Sequence, residues 1–304
     1  MEKIFRALGE RNRLRMVLLL DRSPLNVSEI VQILGITQSN ASHHLRQLVN
    51  SGLLRRTGRG NWAFYSLKRD TPFVADVIRA AFDNRTLLNG FKDDLNRLAR
   101  CLCSRSRQVR EFFDSMDEKD AGKLFGEPAE HLDYLPFISR NLSDPELVLE
   151  VGTGTGRLIP FILGRAKAVL AVDSSRRMLE YAWKYLSSLS MEDQVELRLG
   201  EAEHLPVENS AVSAVLMHMV LHHCADPAQA VREAFRVLKP GGRLIVADLE
   251  EHEDTGFREA RGDMWPGFSA ETLNDFVSNA GFTIKETGNY HTILALAGLK
   301  GDIS

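Results

Sequence analysis

A chain of 304 residues, 44% hydrophobic and 26% charged, has the composition of a globular protein, which excludes wholesale disorder. Its length is on the order of two domains. Charged Glu2, Lys3 and Arg6 interrupt the first apolar residues, and no apolar run approaches the roughly 18 residues of a membrane span. Neither a secretory leader nor a membrane anchor is therefore expected. Cys101, Cys103 and Cys224 are too few for a disulfide framework and fit a cytoplasmic protein.

The net charge of −3 conceals an asymmetry. Residues 1–110 carry 20 Lys+Arg against 9 Asp+Glu, and the remainder carries 18 against 32. A basic front half joined to an acidic back half implies two jobs, the first at a polyanion.

Apolar residues at Ile4, Leu8, Leu14, Val17, Leu18 and Leu20 predict two short helices, broken at Ser23-Pro24. Ser28 is the predicted N-cap of a helix carrying Ile30, Val31, Ile33 and Leu34, which Gly35 ends. Thr37 caps the next helix, which runs through Leu48 and stops before Gly52. Two helices joined by a short glycine-containing turn are a helix-turn-helix. The second presents Gln38, Ser39, Ser42, His43 and Arg46, short or planar hydrogen-bonding groups suited to base edges in a major groove. Residues 53–57 and 62–67 alternate like strands around Gly58-Arg59-Gly60-Asn61, a wing whose Arg59 suits a phosphate or a minor groove.

The run Ala7-Leu8-Gly9-Glu10-Arg11-Asn12-Arg13-Leu14-Arg15, with Ser42-His43-His44-Leu45 and Tyr65-Ser66-Leu67, resembles the ArsR/SmtB repressors over about residues 1–85. The resemblance implies a homodimer on a pseudo-palindromic operator in double-stranded DNA. Where thiolate sensors of that family carry Cys-x-Cys, this chain reads Asn26-Val27-Ser28, and Cys101 and Cys103 point to different faces of a helix. No metal site is expected. From Phe73 to Leu102 apolar residues recur at three and four, so residues 86–125 are expected to form a helical connector or dimerisation region. The domain join is placed at Ser115–Glu127 or slightly before, with residues 1–85 as the first domain and residues 126–304 as the second.

Leu147 to Val151 is an apolar run of the kind buried in a parallel sheet, and it opens into Gly152-Thr153-Gly154-Thr155-Gly156. A second strand, Ala168 to Val172, ends in Asp173, a carboxylate placed to accept both hydroxyls of a ribose. A dinucleotide fingerprint would need glycine at residue 157, which is Arg157. Further strands are predicted at Val195–Leu199, Val212–Met217 and Leu244–Ala247, with helices at Ser174–Leu189 and Asp226–Leu238. Glu150 with the G-x-G-x-G loop, Gly200-Glu201-Ala202 and Leu238-Lys239-Pro240-Gly241-Gly242 resemble the class I S-adenosylmethionine (SAM)-dependent methyltransferases over about residues 147–297.

The expected fold is therefore an α+β winged helix-turn-helix domain followed by an α/β Rossmann-like methyltransferase domain. On that resemblance the cofactor residues are Glu150, Gly152, Thr153, Gly154, Gly156, Asp173, Ser174, Met178, Glu201, Ala202 and His218. The ligand is SAM or its demethylated product S-adenosylhomocysteine (SAH). Methyl transfer is an in-line displacement needing alignment more than a protein nucleophile, so the acceptor is less legible than the cofactor. His222 and His223 are candidate general bases, although such a pair equally shapes a pocket. Trp265-Pro266-Gly267-Phe268 and Tyr290 suit either an acceptor pocket or core packing. The motifs of DNA amino-methyltransferases, cytosine-C5 enzymes and arsenite methyltransferases are missing. Two readings remain: a repressor with a SAM or SAH sensor, and a methyltransferase of a small-molecule acceptor with a regulatory domain.

Overall fold

The capping signals in the first hundred residues set out a helical domain. The computed structural model describes residues 1–58, 63–68, 72–124, 133–142, 145–252 and 262–301. It divides into two units, Met1–Ser104 and Arg105–Ser304.

In the first unit α1 (Glu2–Leu8) and α2 (Arg11–Leu20) precede a short strand β1 (Leu25–Asn26) and the helix-turn-helix pair α3 (Val27–Leu34) and α4 (Gln38–Asn50). Helix α3 begins one residue before Ser28. Its cap is Asn26, whose side chain accepts the Glu29 N–H while the Glu29 carboxylate accepts the Asn26 N–H, at 3.0 and 2.8 Å. This reciprocal box satisfies two orphan donors and outcompetes a lone serine. Gly35 closes α3 at φ 66°, and the Thr37 hydroxyl accepts the Asn40 N–H to open α4, as expected. Strands β2 (Leu54–Thr57) and β3 (Phe64–Leu67) pair antiparallel, with β1 on the other edge of β3. Arg59 to Trp62, including the expected wing arginine, lie outside the described residues.

Leu18, Leu19, Ile30, Ile33, Leu45 and Leu48 bury the inner faces of α2, α3 and α4, and each such side chain stabilises the fold by roughly 1.5–3 kcal/mol. Helix α5 (Pro72–Asp83) and the first part of α6 (Phe91–Ser115) add Val74, Ile78, Phe91 and Leu98 to that core. Asp94 on α6 is fully buried and takes a bidentate pair from Arg15, at 2.6 and 2.7 Å, and a third bond from Arg97. Cys101 packs against this core with its thiol 3.5 Å from Glu29, whereas Cys103 is exposed. The division between units falls within α6, so residues of the expected connector belong to both.

The second unit takes the rest of α6, α7 (Glu118–Leu124) and α8 (Leu135–Asn141), and then a seven-stranded sheet. Its strands are β4 (Leu147–Val151), β5 (Ala168–Asp173), β6 (Val195–Leu199), β7 (Val212–His218), β8 (Leu238–Leu249), β9 (Phe282–Tyr290) and β10 (Ile293–Lys300). Their order is β6-β5-β4-β7-β8-β10-β9; every neighbouring pair from β6 to β8 is parallel, and β10 is antiparallel to both its neighbours. Helices α9 (Ile159–Leu163), α10 (Arg176–Ser188), α11 (Pro227–Val237) and α12 (Ala270–Asn279) complete the unit. Lys239 to Gly242 loop out of the β7–β8 ladder, whose register passes from Val212–Leu238 to Ala214–Arg243. Strand order reverses at β4, between β5 and β7, the place where open α/β sheets bind ligands beyond their strand ends. This is the expected Rossmann-like methyltransferase architecture.

Candidate functional site

On α4 the buried residues Ala41, Leu45 and Leu48 turn Gln38, Ser39, His43 and Arg46 outward, all exposed, with Ser42 half-buried beside them. His43 is fixed by Gln47, 2.9 Å from its Nε2, whereas half-buried His44 faces Glu10 at 3.6 Å. The helix thus offers a polar stripe free of intrahelical ion pairs among the described residues.

In the second unit a cleft of about 690 Å³, counting its open mouth, lies at the C-terminal ends of β4, β5 and β7. Gly152, Gly154, Asp173, Ser174, Met178, Glu201 and Ala202 line it, seven of the residues singled out from sequence. Gly152 and Gly154 hold φ of 71° and 54°, and a Cβ on Gly152 would stand 2.4 Å from Val220 Cγ2. The loop therefore needs glycine for both its backbone angle and its close approach. Gly156, at φ 74°, packs instead toward Ala182 on α10.

Asp173 accepts the Gly154 N–H at 2.8 Å and the Ser175 N–H at 2.8 Å, which aims its carboxylate along the glycine loop. Burial pushes its pKa up to about 6, against the opposing pull of those N–H donors. Glu150 stands behind the loop, fully buried, accepting the Thr153 hydroxyl at 2.6 Å; burial and then the Asp173 charge raise it to about 7. Glu150 and Thr153 support the wall rather than line it. His218 is likewise not brought to the cleft: its Nε2 meets the Tyr134 hydroxyl at 2.8 Å, and burial lowers its pKa to about 4.

Sequence reasoning did not find the wall supplied by α6. Ser106, Val109 and Phe113 line the cleft, Arg110 pairs with Glu201 at 3.0 Å, and Asp114 accepts the Ser175 hydroxyl at 2.6 Å. Buried Arg105 donates to the Ala225 carbonyl at 2.7 Å and lies over Trp265. The remaining wall is Val151, Gly200, Glu203, Met219, Val220, His223, Cys224 and Ala225.

Of the two candidate bases, only His223 lines the cleft. His222 is buried and bonded through Nδ1 to Asp248 at 2.6 Å. Burial, with the neighbouring His222, holds the His223 pKa well below its ordinary value, and burial holds the Cys224 thiol protonated. Trp265 bonds the Cys224 carbonyl and stacks toward Phe268, so these aromatics pack the core and do not line the cleft.

Residues 10–56 match the family model of the arsR-family bacterial regulatory proteins, and residues 149–246 match the model of a methyltransferase domain. The chain carries both domains. An uncharacterized methyltransferase of Mycobacterium bovis is 35% identical over 163 residues, covering 53% of this chain and 61% of its own length. A malonyl-[acyl-carrier protein] O-methyltransferase of Marinomonas is 31% identical over 112 residues, 36% of this chain and 40% of its own. The chain thus spans less than two thirds of these curated relatives. A SAM-dependent methyltransferase from Aquifex aeolicus shares the fold, with a TM-score of 0.52 and 22% identity over 61% of this chain and all of that one. Among the described residues no helix is long and apolar enough to cross a membrane.

Proposed function

We propose that the chain is a DNA-binding transcriptional repressor, cytoplasmic and homodimeric, whose methyltransferase unit binds SAM or SAH as its effector. The observation that carries this reading is the composition of α6. Its first part places Phe91, Asp94 and Leu98 in the core behind the helix-turn-helix, and its second part places Ser106, Val109 and Phe113 on the cofactor cleft. A ligand that displaces the latter residues acts on the helix that also supports the former. Asp173 is a buried carboxylate on the cleft that no Lys or Arg among the described residues pairs with, so its complementary donors come from the ligand. SAM supplies a sulfonium, an ammonium and a ribose diol.

Operator DNA would be read by Gln38, Ser39, Ser42, His43 and Arg46, with Arg59 in the wing. The test is fluorescence anisotropy of the full chain on DNA from upstream of its own gene, at fixed salt, without ligand and with SAM or SAH. A several-fold shift that Asp173→Ala abolishes, with basal DNA binding retained, supports the reading. A shift that survives Asp173→Ala places the effector elsewhere.

The second reading, an active methyltransferase of a small molecule, draws on His223, Phe113, Met219 and Val220 at the cleft wall, and on relatives named as methyltransferases. It predicts SAH formation from SAM with an acceptor, which a pure sensor does not show.

A further inference from the structure

We propose that His222, His223 and Asp263 form a site for one divalent transition-metal ion in the wall of the cleft. His222 Nε2 and His223 Nδ1 each stand 3.6 Å from Asp263 Oδ1, and one ligand atom from each residue falls within 4.8 Å of the other two. Separations of 3.6 Å are too long for hydrogen bonds. They are close to the ~3.4 Å edge of a tetrahedral site whose ligand bonds are about 2.0–2.2 Å.

The surroundings prepare these atoms for a cation. Asp248 accepts the N–H groups of Val220, Leu221 and Leu249, at 3.1, 2.7 and 2.8 Å, and so is held as an acceptor facing His222 Nδ1 at 2.6 Å. The proton of His222 therefore sits on Nδ1, leaving the Nε2 lone pair directed to the Asp263 side. A carboxylate behind a ligating imidazole is the usual support of a histidine metal ligand. Asp263 is brought to the pair by its own chain: the Met264 and Trp265 N–H groups donate to the His222 carbonyl at 2.9 and 3.0 Å. His223 Nδ1 also contacts the Gly262 carbonyl at 3.2 Å, a long bond that ligation through Nδ1 would replace. Side-chain exposures of 4%, 13% and 1% show that little water competes for the three groups.

Two imidazoles and one carboxylate suit Zn²⁺, Co²⁺ or Fe²⁺ rather than Mg²⁺, which takes oxygen ligands. Because His223 lines the cleft, the ion would stand at its wall, where a hydroxyl or thiol of a bound molecule is the class of ligand it would attract. The absence of thiolate sensor motifs does not bear on this set, because Asp263 is far from the histidine pair in sequence.

The test uses full-length chelator-stripped protein carrying Cys101→Ser and Cys103→Ser, so that thiols do not take up the probe. Co²⁺ is titrated and read by its d–d absorption. One saturable equivalent per chain is expected, weakened at least ~10-fold by Asp248→Asn and more by Asp263→Asn. Retained thermal unfolding checks that each variant is folded, and His223→Gln replaces Asp263→Asn if the latter unfolds. No saturable uptake, or uptake equally tight in the ligand variants, overturns the site. The readout needs neither DNA nor SAM, so it stands or falls apart from the proposed function.

Discussion

The two units each bury carboxylates, and they satisfy them in opposite ways. In the first, Asp94 is neutralised inside the protein by Arg15 and Arg97. In the second, among the described residues, Asp173 and Glu150 meet only backbone N–H groups and a hydroxyl, and burial lifts them to about 6 and about 7. A buried charge matched within the chain is a structural joint, whereas one matched by dipoles alone awaits a ligand. The recognition surfaces differ in the same sense. Helix α4 exposes polar groups of the kind a large, hydrated partner needs, and the glycine loop lines a cleft of the kind that takes a small ligand.

The largest test of this contrast is Asp94→Asn. It leaves Arg15, only 11% exposed, without its anion, and breaking such a pair costs ~3–5 kcal/mol. Thermal unfolding should fall steeply and DNA binding with it, while isolated measurement of SAM binding changes little. Loss of SAM binding to the same degree would mean that the two carboxylate classes are not independent.

Asp173→Ala should act in reverse. Removing a charged acceptor for two ribose hydroxyls costs about 3 kcal/mol, roughly 100-fold in cofactor affinity by calorimetry, with DNA affinity unchanged. Arg46→Ala should weaken operator binding by about 1–3 kcal/mol if it reads a guanine, and leave cofactor affinity intact. Weakening that is equal on all DNA sequences would assign Arg46 to phosphate instead.

The smallest effect concerns pH. SAM binding favours ionised Asp173, so affinity should rise about tenfold between pH 5 and pH 8 as it titrates near 6, whereas Glu150, raised to about 7, stands behind the loop. Stability without ligand runs the other way. Both folded-state values are raised, so the folded unit holds protons that the unfolded chain has lost, and this contribution diminishes as pH rises toward 7. Denaturant midpoints of the ligand-free chain at pH 5 and pH 8 check the sign.

Legibility followed locality. Thr37, Gly35 and the face of α4 are written in a dozen consecutive residues, as are the glycine loop and the strand ending in Asp173. The cap at Asn26 was misplaced because Ser28 and Asn26 are both competent caps, and only Glu29 reaching back decides between them. The cleft wall from Ser106, Val109 and Phe113 was hidden because α6 shows a single amphipathic period whose faces are claimed by different cores. Asp263 is held beside the histidine pair by the neighbouring Met264 and Trp265 N–H groups on the His222 carbonyl, a long-range contact that left no local mark. Strands β9 and β10 were not anticipated, since β9 is an alternating edge and β10 a buried run after the last motif.

The central claim is coupling between cofactor and DNA, and its most direct test is reciprocity. SAM and SAH affinities are measured by calorimetry on the full chain, with and without saturating operator DNA at fixed salt. The account predicts that DNA changes the effector's affinity by the same factor by which the effector changes DNA affinity, several-fold in either direction. An effector affinity identical with and without DNA would contradict it and leave a methyltransferase joined to an uncoupled DNA-binding domain.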